Sequence, residues 1–409
     1  MRVMHSSDWH LGCRLYGQSR DHEFSAFFSW LLEKLEQEKI DALLVAGDIF
    51  DNSVPSNRAQ QLYYDFLRQV SNSSCRHVVI IGGNHDSPSF LEAPRELLKT
   101  LNVHVIGSKK ENVSEELICL YDDSDQLELL VAAVPYLRDR DVRSYEAGEN
   151  YQQAAEKLKQ GIAEHYREIA ELAAEKRREA ARPLPLIGMG HLYTQGGLIT
   201  EGDGVRQLYV GTLAHIESGQ ICQGFDYLAL GHLHVPQIVD GNELVAYSGS
   251  PLAMGFNEAK QQKSLRIIEF NKDCKPSVEL LEIPAWQRLE RIHGDWTAIE
   301  SSLKQLKEDG VQAWLEIIYD SDELCVDLRE KIDALLENTG LLPLRISNKQ
   351  VVNTALQALQ ENENLKDLEH TQVFQRLLEN QQLPAEQNEK LLNLYHILVR
   401  DMLERDENQ

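Results

Sequence analysis

The chain lacks a long apolar run and a paired-cysteine motif, and its sequence predicts no signal peptide. No apolar run approaches the roughly 18 residues that a membrane-spanning helix needs. The six cysteines are scattered without a C-x-x-C pair, so their spacing supports neither a zinc knuckle nor a disulfide framework. The start of the chain leads directly into a strand-like segment and a polar motif. These absences predict a cytoplasmic protein whose thiols are reduced.

Positive charge is also scarce. The 409 residues include 65 acids and 41 bases, which gives a formal net charge of −24. A uniformly acidic surface repels nucleic acid, so any DNA contact must come from a local basic patch or from metal ions. The chain has no G-x-x-x-x-G-K-[ST] loop, and we therefore expect it to bind no nucleotide itself.

Short apolar runs alternate with amphipathic stretches over residues 1–284. Strand, helix and strand at this spacing predict a layered α/β fold in which two sheets pack face to face with helices outside. One of the predicted helices covers Leu91–Thr100. Residues 285–348 predict a small α+β domain that includes a helix over Ser321–Asn338. Residues 349–409 are polar, acidic and helical in pattern.

Five short motifs each lie at or just past the carboxyl end of a predicted strand. They are Asp8-Trp9-His10, Gly47-Asp48, Gly82-Gly83-Asn84-His85-Asp86, Gly190-His191 and Gly231-His232-Leu233-His234. Loops at strand carboxyl ends gather at one edge of an α/β sheet, so distant segments can reach one place. Members of a D-x-H or H-x-H pair lie two residues apart and point to the same side of an extended chain.

These motifs predict a centre that holds two metal ions. Carboxylate, imidazole and amide oxygen without thiolate favour manganese, iron or zinc over calcium. The predicted ligands are Asp8, His10, Asp48, Asn84, His191, His232 and His234. Asp48 is the predicted bridge, and His85 is predicted to face a phosphate as an acid or charge stabiliser, oriented by Asp86. Any single motif is more often a turn or a core histidine, and the prediction depends on all five together.

The motifs D-x-H, G-D, G-N-H-D, G-H and G-H-x-H resemble those of the calcineurin-like metallophosphoesterase superfamily. More closely, HSSDWHLG, LLVAGDIFD, GGNHDS, ALGHLH and YSGSP resemble the SbcD family of bacterial nuclease subunits. The resemblance implies a four-layer α/β/β/α core and two manganese ions, with magnesium, iron or zinc as alternatives. It implies one ion on Asp8, His10, Asp48 and His234, and the other on Asp48, Asn84, His191 and His232. It makes His85 the catalytic histidine.

The resemblance also implies partners and substrates. In that family the domain after residue 285 caps the DNA cleft, and the terminal helices dock on the coiled coil of SbcC, an ABC-type ATPase. The family forms a homodimer within a heterotetramer that acts as an ATP-dependent double-strand exonuclease and single-strand endonuclease and opens hairpins. Some relatives carry a histidine where this chain has Asp51, so no role is implied for that position.

Basic and aromatic residues near the motif loops are the candidates for DNA contact. They are Arg14, Tyr16 and Arg20 after the first motif, and Arg138, Arg140 and Arg143 after Pro135-Tyr136. The alternative is that the arginines are solvated and paired with neighbouring aspartates.

Two other functions stay open at this point. A protein phosphatase or nucleotide phosphodiesterase could use the same centre. However, phosphatases of the superfamily carry an arginine after the Gly-Asp motif and Glu after Gly-Asn-His, where this chain has Asn52 and Asp86. A scaffold with a vestigial site would have no reason to keep seven ligands.

Overall fold

The structure is a computed structural model that describes residues 1–143, 151–194, 216–321, 325 and 327–348. The chain divides into two compact units, Met1–Arg288 and Leu289–Gln409. The helices predicted for residues 349–409 lie outside the described residues. Among the residues that the structure describes, no helix is both long enough and apolar enough to span a bilayer.

The first unit alternates strands and helices. Its strands are β1 (Arg2–Ser6), β2 (Arg14–Leu15), β3 (Gln18–Ser19), β4 (Ala42–Ala46), β5 (His77–Ile81), β6 (Val103–Ile106), β7 (Leu117–Tyr121), β8 (Leu127–Ala133), β9 (Leu186–His191), β10 (Tyr227–Gly231), β11 (Gln237–Val239), β12 (Asn242–Tyr247), β13 (Ser264–Phe270) and β14 (Pro276–Glu282). Its helices are α1 (Asp21–Gln37), α2 (Asn57–Val70), α3 (Pro88–Glu92), α4 (Arg95–Lys99), α5 (Asp139–Val142), α6 (Tyr151–Glu179) and α7 (Ser218–Ile221).

Two six-stranded sheets form the centre of this unit. Their strand orders are β14-β13-β1-β4-β5-β6 and β11-β12-β10-β9-β8-β7. In the first sheet β1, β4, β5 and β6 are parallel, and in the second β8, β9, β10 and β12 are parallel. Parallel strands bring their carboxyl ends to a common edge, where the loops that follow them meet.

The side chains of β4 show how the layers pack. Ala42, Leu44 and Ala46 belong to an apolar cluster built from residues of both sheets. Leu43 and Val45 belong to a second cluster, which α1 and α2 cover. Strands that are buried on both faces read as continuous apolar runs, as this one does. A third cluster covers the outer face of the second sheet with α6. The predicted four-layer α/β/β/α core is therefore confirmed.

The helix predicted over Leu91–Thr100 is wrong as a single element. The structure has two short helices, α3 and α4, and Pro94 precedes the second of them. Proline has no backbone N–H and clashes with the preceding turn, so a helix cannot continue through it. The strand β6 follows α4 directly and extends the first sheet.

The second unit is a small α+β fold. Its described elements are β15 (Arg288–Gly294), α8 (Trp296–Glu308), β16 (Ala313–Tyr319), α9 (Leu328–Leu336) and β17 (Leu341–Asn348), and its sheet order is β15-β16-β17. Asp295 caps α8 by accepting a 2.8 Å hydrogen bond from the backbone N–H of Ala298. The helix predicted from Ser321 instead begins at Leu328.

Candidate metal centre

The central strands of both sheets deliver the candidate ligands. In the first sheet, β1 ends two residues before Asp8, β4 ends two residues before Asp48, and β5 ends three residues before Asn84. In the second sheet, His191 is the last residue of β9, and β10 ends one residue before His232. Donors therefore come from both layers of the β sandwich.

Donor atoms of Asp48, Asn84, His191 and His232 lie close together. The Nε2 of His191 lies 3.3 Å from Asp48 Oδ2 and 2.9 Å from Asn84 Oδ1. The Nδ1 of His232 lies 3.0 Å from the same Asn84 oxygen. Metal–ligand bonds of about 2.1 Å place neighbouring ligand atoms about 3.0–3.4 Å apart. These atoms are therefore spaced as the ligands of one cation would be.

A second group of donors also lies close to Asp48. Asp8, His10 and His234 bring one ligand atom each within 4.8 Å of one another. The Nε2 atoms of the two histidines are 3.1 Å apart, and His10 Nε2 is 3.6 Å from Asp48 Oδ2. The same carboxylate oxygen thus faces both groups, as a bridging ligand would. The donor types and their spacing fit a pair of divalent cations.

Burial sets the protonation of this centre. It lowers the pKa of His10, His232 and His234 to about 3, so their imidazoles are neutral, as metal ligands must be. Burial opposes a charge on His191 as well, but the nearby Asp48 carboxylate raises its pKa to about 9. Burial raises the pKa of Asp8 to about 7, whereas His191 holds the pKa of the buried Asp48 well below its usual range.

We expect the affinity for Mn²⁺ to rise with pH across the neutral range. A raised pKa means that His191 keeps its proton until about pH 9 and that Asp8 does so until about pH 7, and a cation must displace these protons. Release of one proton on binding makes the apparent association constant increase about tenfold per pH unit. Titration calorimetry in buffers of different ionisation enthalpy measures the association constant and the number of protons released on binding. A constant affinity between about pH 6 and pH 9 would contradict the protonation assigned to His191.

The ligand loops are locked by strained backbone and close packing. Asp8, His10 and Asp48 have φ angles of 52°, 49° and 49°, in the left-handed region that costs most residues energy. Their loops are joined because Asp8 N–H donates to Gly47 O at 3.0 Å and His10 N–H donates to Asp48 O at 2.9 Å. A Cβ at Gly83 would lie 2.1 Å from Asp48 Oδ1, so only glycine fits there. The positions of the candidate ligands are thus fixed by the backbone as well as by side-chain packing.

His85 is tied to the metal centre and to Asp51. Its backbone N–H donates to Asp48 Oδ1 at 2.9 Å, and its Nδ1 lies 2.7 Å from the carbonyl oxygen of Asp51. A carbonyl oxygen can only accept, so Nδ1 carries the hydrogen of this bond. The ring centroid is 4.9 Å from that of His10.

The prediction that Asp86 orients His85 is corrected by the structure, whereas its catalytic role stays a prediction. The Asp86 carboxylate accepts hydrogen bonds from the backbone N–H groups of Ile49, Phe50 and Gly83, at 2.9–3.1 Å. It therefore holds the Gly-Asp loop against the Gly-Asn-His loop. The carbonyl of Asp51 orients the histidine instead.

Two of the arginines proposed for DNA contact are occupied. Arg20 is 2% exposed, forms a two-point ion pair with Glu23 at 2.7 and 2.8 Å, and donates to Ala253 O at 2.6 Å. The Arg143 guanidinium pairs with Asp139, with one contact at 2.6 Å. Because a buried or ion-paired guanidinium group serves the fold, this geometry counts against DNA contact by Arg20 and Arg143.

The other DNA candidates lie at the surface. Arg14 donates to Gly17 O, and the Tyr16 ring is half exposed and stacks on Phe256 at a centroid distance of 5.9 Å. The Arg140 side chain is 69% exposed and lies 3.8 Å from Asp141. Arg138 donates its backbone N–H to the same aspartate at 2.9 Å. Contact between these residues and DNA stays a prediction.

Two carboxylates beside the candidate ligands are absent from the predicted site. Asp51 Oδ1 is 3.7 Å from His10 Nδ1, and Glu258 Oε1 is 4.0 Å from His234 Nδ1. Asp51 could be expected near the centre because it lies three residues past Asp48. Glu258 lies 24 residues beyond His234 in a short 3₁₀ turn, and no spacing rule connects the two.

Matches to known proteins cover nearly the whole chain. The calcineurin-like phosphoesterase family model matches residues 1–236, and the type 5 capsule protein repressor C-terminal domain model matches residues 285–382. The chain is 34% identical over 397 residues to the SbcD subunit of the SbcCD nuclease of Escherichia coli K12, with 97% of each chain covered. The corresponding nuclease subunits from Rhodobacter capsulatus and Bacillus subtilis are 31% and 28% identical. Those alignments cover 85% and 99% of this chain and 86% and 100% of the relatives.

Proposed function

The chain belongs to the SbcD family of calcineurin-like phosphoesterases, and we propose that it hydrolyses DNA phosphodiester bonds at a centre of two metal ions. Its family makes it a metal-dependent nuclease. The observation that most favours two ions over one is the position of Asp48 Oδ2, which faces His191 Nε2 at 3.3 Å and His10 Nε2 at 3.6 Å. One oxygen between two sets of imidazoles is the arrangement of a bridge.

Manganese is the proposed metal. Asp8, His10 and His234 would hold one ion with Asp48, and Asn84, His191 and His232 would hold the other with it. When bound, two such cations supply an activated water and offset the charge on the attacking and leaving oxygens of an in-line displacement. The chain contributes buried ligands that are already positioned before the substrate binds, so these side chains need little reorganisation during the reaction.

His85 is proposed as the residue that exchanges a proton or a hydrogen bond with the phosphate. Because its Nδ1 hydrogen is engaged by the Asp51 carbonyl, its Nε2 is the atom available to the substrate. Its backbone is bonded to Asp48, so the ring keeps a fixed position relative to the bridging carboxylate. This anchoring favours a role in positioning charge at the scissile bond over a role as a metal ligand.

We expect the isolated chain to bind duplex DNA weakly and with strong salt dependence. The net charge of −24 opposes binding, so contacts with DNA phosphates depend on a few basic side chains near the site. Replacing Arg138 and Arg140 together with alanine should lower the slope of log affinity against log salt by about 1–2. Fluorescence anisotropy at several salt concentrations measures this slope. Arg167→Ala, on the exposed side of α6, is the control, and an equal effect there would contradict the assignment.

The family also suggests partners that bind this chain outside the metal centre. Residues 285–348 would cap the DNA, and residues 349–409 would dock on the coiled coil of an SbcC-type ABC ATPase. A homodimer within a heterotetramer, acting in the cytoplasm, would then cleave double-strand ends exonucleolytically, cut single strands and open hairpins, using ATP bound by the partner.

One experiment separates this function from its alternatives. The manganese-loaded chain, alone and with its ATPase partner, is offered linear duplex, hairpin DNA and a phosphoserine peptide. Cleavage of either DNA substrate without dephosphorylation of the peptide is the expected result. Peptide turnover without DNA cleavage would instead favour a phosphatase, and inertness toward every substrate would favour a scaffold.

A further inference from the structure

His234 presents its two ring nitrogens to two different environments. Its Nε2 lies 3.1 Å from His10 Nε2, inside the candidate metal centre. Its Nδ1 lies on the other side of the ring, 4.0 Å from Glu258 Oε1. A histidine that binds a metal through one nitrogen almost always donates the hydrogen of the other to an acceptor, which fixes the tautomer and the ring orientation. Glu258 is placed to be that acceptor.

The Glu258 carboxylate is held by only one of its oxygens. The residue is fully buried, and its Oε2 accepts from Lys263 Nζ at 2.6 Å and from Met254 N–H at 3.0 Å. Its Oε1 has no hydrogen-bond partner among the described residues. A buried carboxylate oxygen without a donor is costly. This oxygen faces the outer nitrogen of His234, which can supply the donor.

Lys263 fixes the same carboxylate to the backbone of His234. Its Nζ donates to the His234 carbonyl oxygen at 2.8 Å and to Ser250 Oγ at 3.2 Å, in addition to Glu258. The lysine is itself buried. The carboxylate is thereby held in a fixed position relative to the residue whose ring it faces, and little adjustment is needed to close the remaining gap.

We propose that Glu258 is a positioning residue for His234, accepting its Nδ1–H and so directing the Nε2 lone pair into the metal centre. This inference rests on the proposed two-metal function and assigns a role to a residue outside the ligand set. The corresponding hydrogen of His191 is accepted by the backbone carbonyl of Ala46 at 2.9 Å. Only one of these two supports can be changed by substitution, which makes the role of Glu258 testable.

Glu258→Gln tests the proposal with little change in shape. Lys263 and the Met254 N–H both require an acceptor, so the glutamine oxygen must take their side and its NH₂ group must face His234. That donor favours the tautomer with its hydrogen on Nε2, which is the nitrogen required for the metal. Glu116→Gln is the matched control. Glu116 is also fully buried and bonded to a histidine, His165, at 2.7 Å, but neither belongs to the candidate metal groups.

Titration calorimetry of the full chain with Mn²⁺ alone is the first measurement. We expect Glu258→Gln to weaken one of two sites about 10–100-fold and to leave the other within about twofold. Glu116→Gln should leave both sites unchanged. Wild-type affinity at both sites in Glu258→Gln would overturn the proposal. Failure of the wild-type chain to bind two ions would instead refute the two-metal centre itself.

NMR of the histidine side chains, with diamagnetic Zn²⁺ as the probe, gives a second readout, and its wild-type measurement does not depend on whether the variant folds. In the wild-type chain we expect the His234 Nδ1–H proton to resonate far downfield, as a hydrogen donated to a carboxylate does. In Glu258→Gln this resonance should move upfield or disappear. The proposal would be overturned if the wild-type Nδ1–H proton had the chemical shift of a hydrogen that is not donated to a carboxylate. It would also be overturned if Glu258→Gln left that chemical shift unchanged.

Discussion

Asp48→Asn is expected to remove both metal ions and to abolish DNA hydrolysis. The charged Oδ2 of Asp48 faces both donor groups, so its neutralisation weakens both sites at once. The amide keeps the size of the side chain, and its oxygen can still accept from the His85 N–H. We expect activity to fall by at least about 10⁴-fold, because a metal-dependent displacement has no substitute for its cations. Elemental analysis of the dialysed protein and a nuclease assay measure the two losses.

Asp8→Asn is the control that makes this result specific. Asp8 belongs to the group with His10 and His234 and not to the group with His191 and His232. Its neutralisation should therefore cost one ion and spare the other. If Asp48→Asn retained one tightly bound ion, or if the two variants behaved alike, Asp48 would not be the bridge.

His85→Ala is expected to lower turnover by about 10²–10⁴-fold while metal content stays close to that of the unsubstituted chain. The His85 ring bonds to the Asp51 carbonyl, whereas the bond to Asp48 comes from the backbone N–H of His85. Removing the ring therefore leaves the Asp48 contact in place. Single-turnover kinetics with excess enzyme isolate the cleavage step from product release. Loss of metal along with activity would show that the ring is a ligand.

Asp86→Ala should behave differently, although it is the adjacent residue. Its carboxylate accepts three backbone hydrogen bonds that join two ligand loops. Their loss should reduce the free energy of unfolding by about 2–4 kcal/mol and weaken metal binding at the same time. Denaturant titration measures the first effect and calorimetry the second. A variant that lost turnover but kept stability and metal would instead support the catalytic role predicted for Asp86.

The layered core could be predicted from sequence because its central strands are buried on both faces. A segment such as Ala42–Ala46 is apolar at every position, and the polar motif after it marks where the strand ends. The same reasoning placed the ligands at one edge, since parallel strands share a direction. It failed over Leu91–Thr100, where the apolar spacing is helical but Pro94 prevents one continuous helix.

The supporting contacts could not be predicted because they depend on tertiary packing. The proximity of Asp86 to His85 in sequence favoured a bond between them, yet the Asp86 carboxylate turns toward Ile49, Phe50 and Gly83. Arg20 follows the first motif as a DNA contact would, but the chain buries it against Glu23. Glu258 reaches His234 only because the chain after β12 returns to the same edge. Sequence distance carries no information about such pairs.

The origin of the donors in two different sheets has a mechanical consequence. Asp8, Asp48 and Asn84 follow strands of one sheet, whereas His191 and His232 belong to the other. Side-chain packing between the sheets is apolar and carries no direction of its own. Cations held by ligands from both sheets would link the two sheets and restrain one from sliding over the other. Chelation should therefore loosen the sandwich as a whole, because any ligand bound only by the folded state adds to its stability.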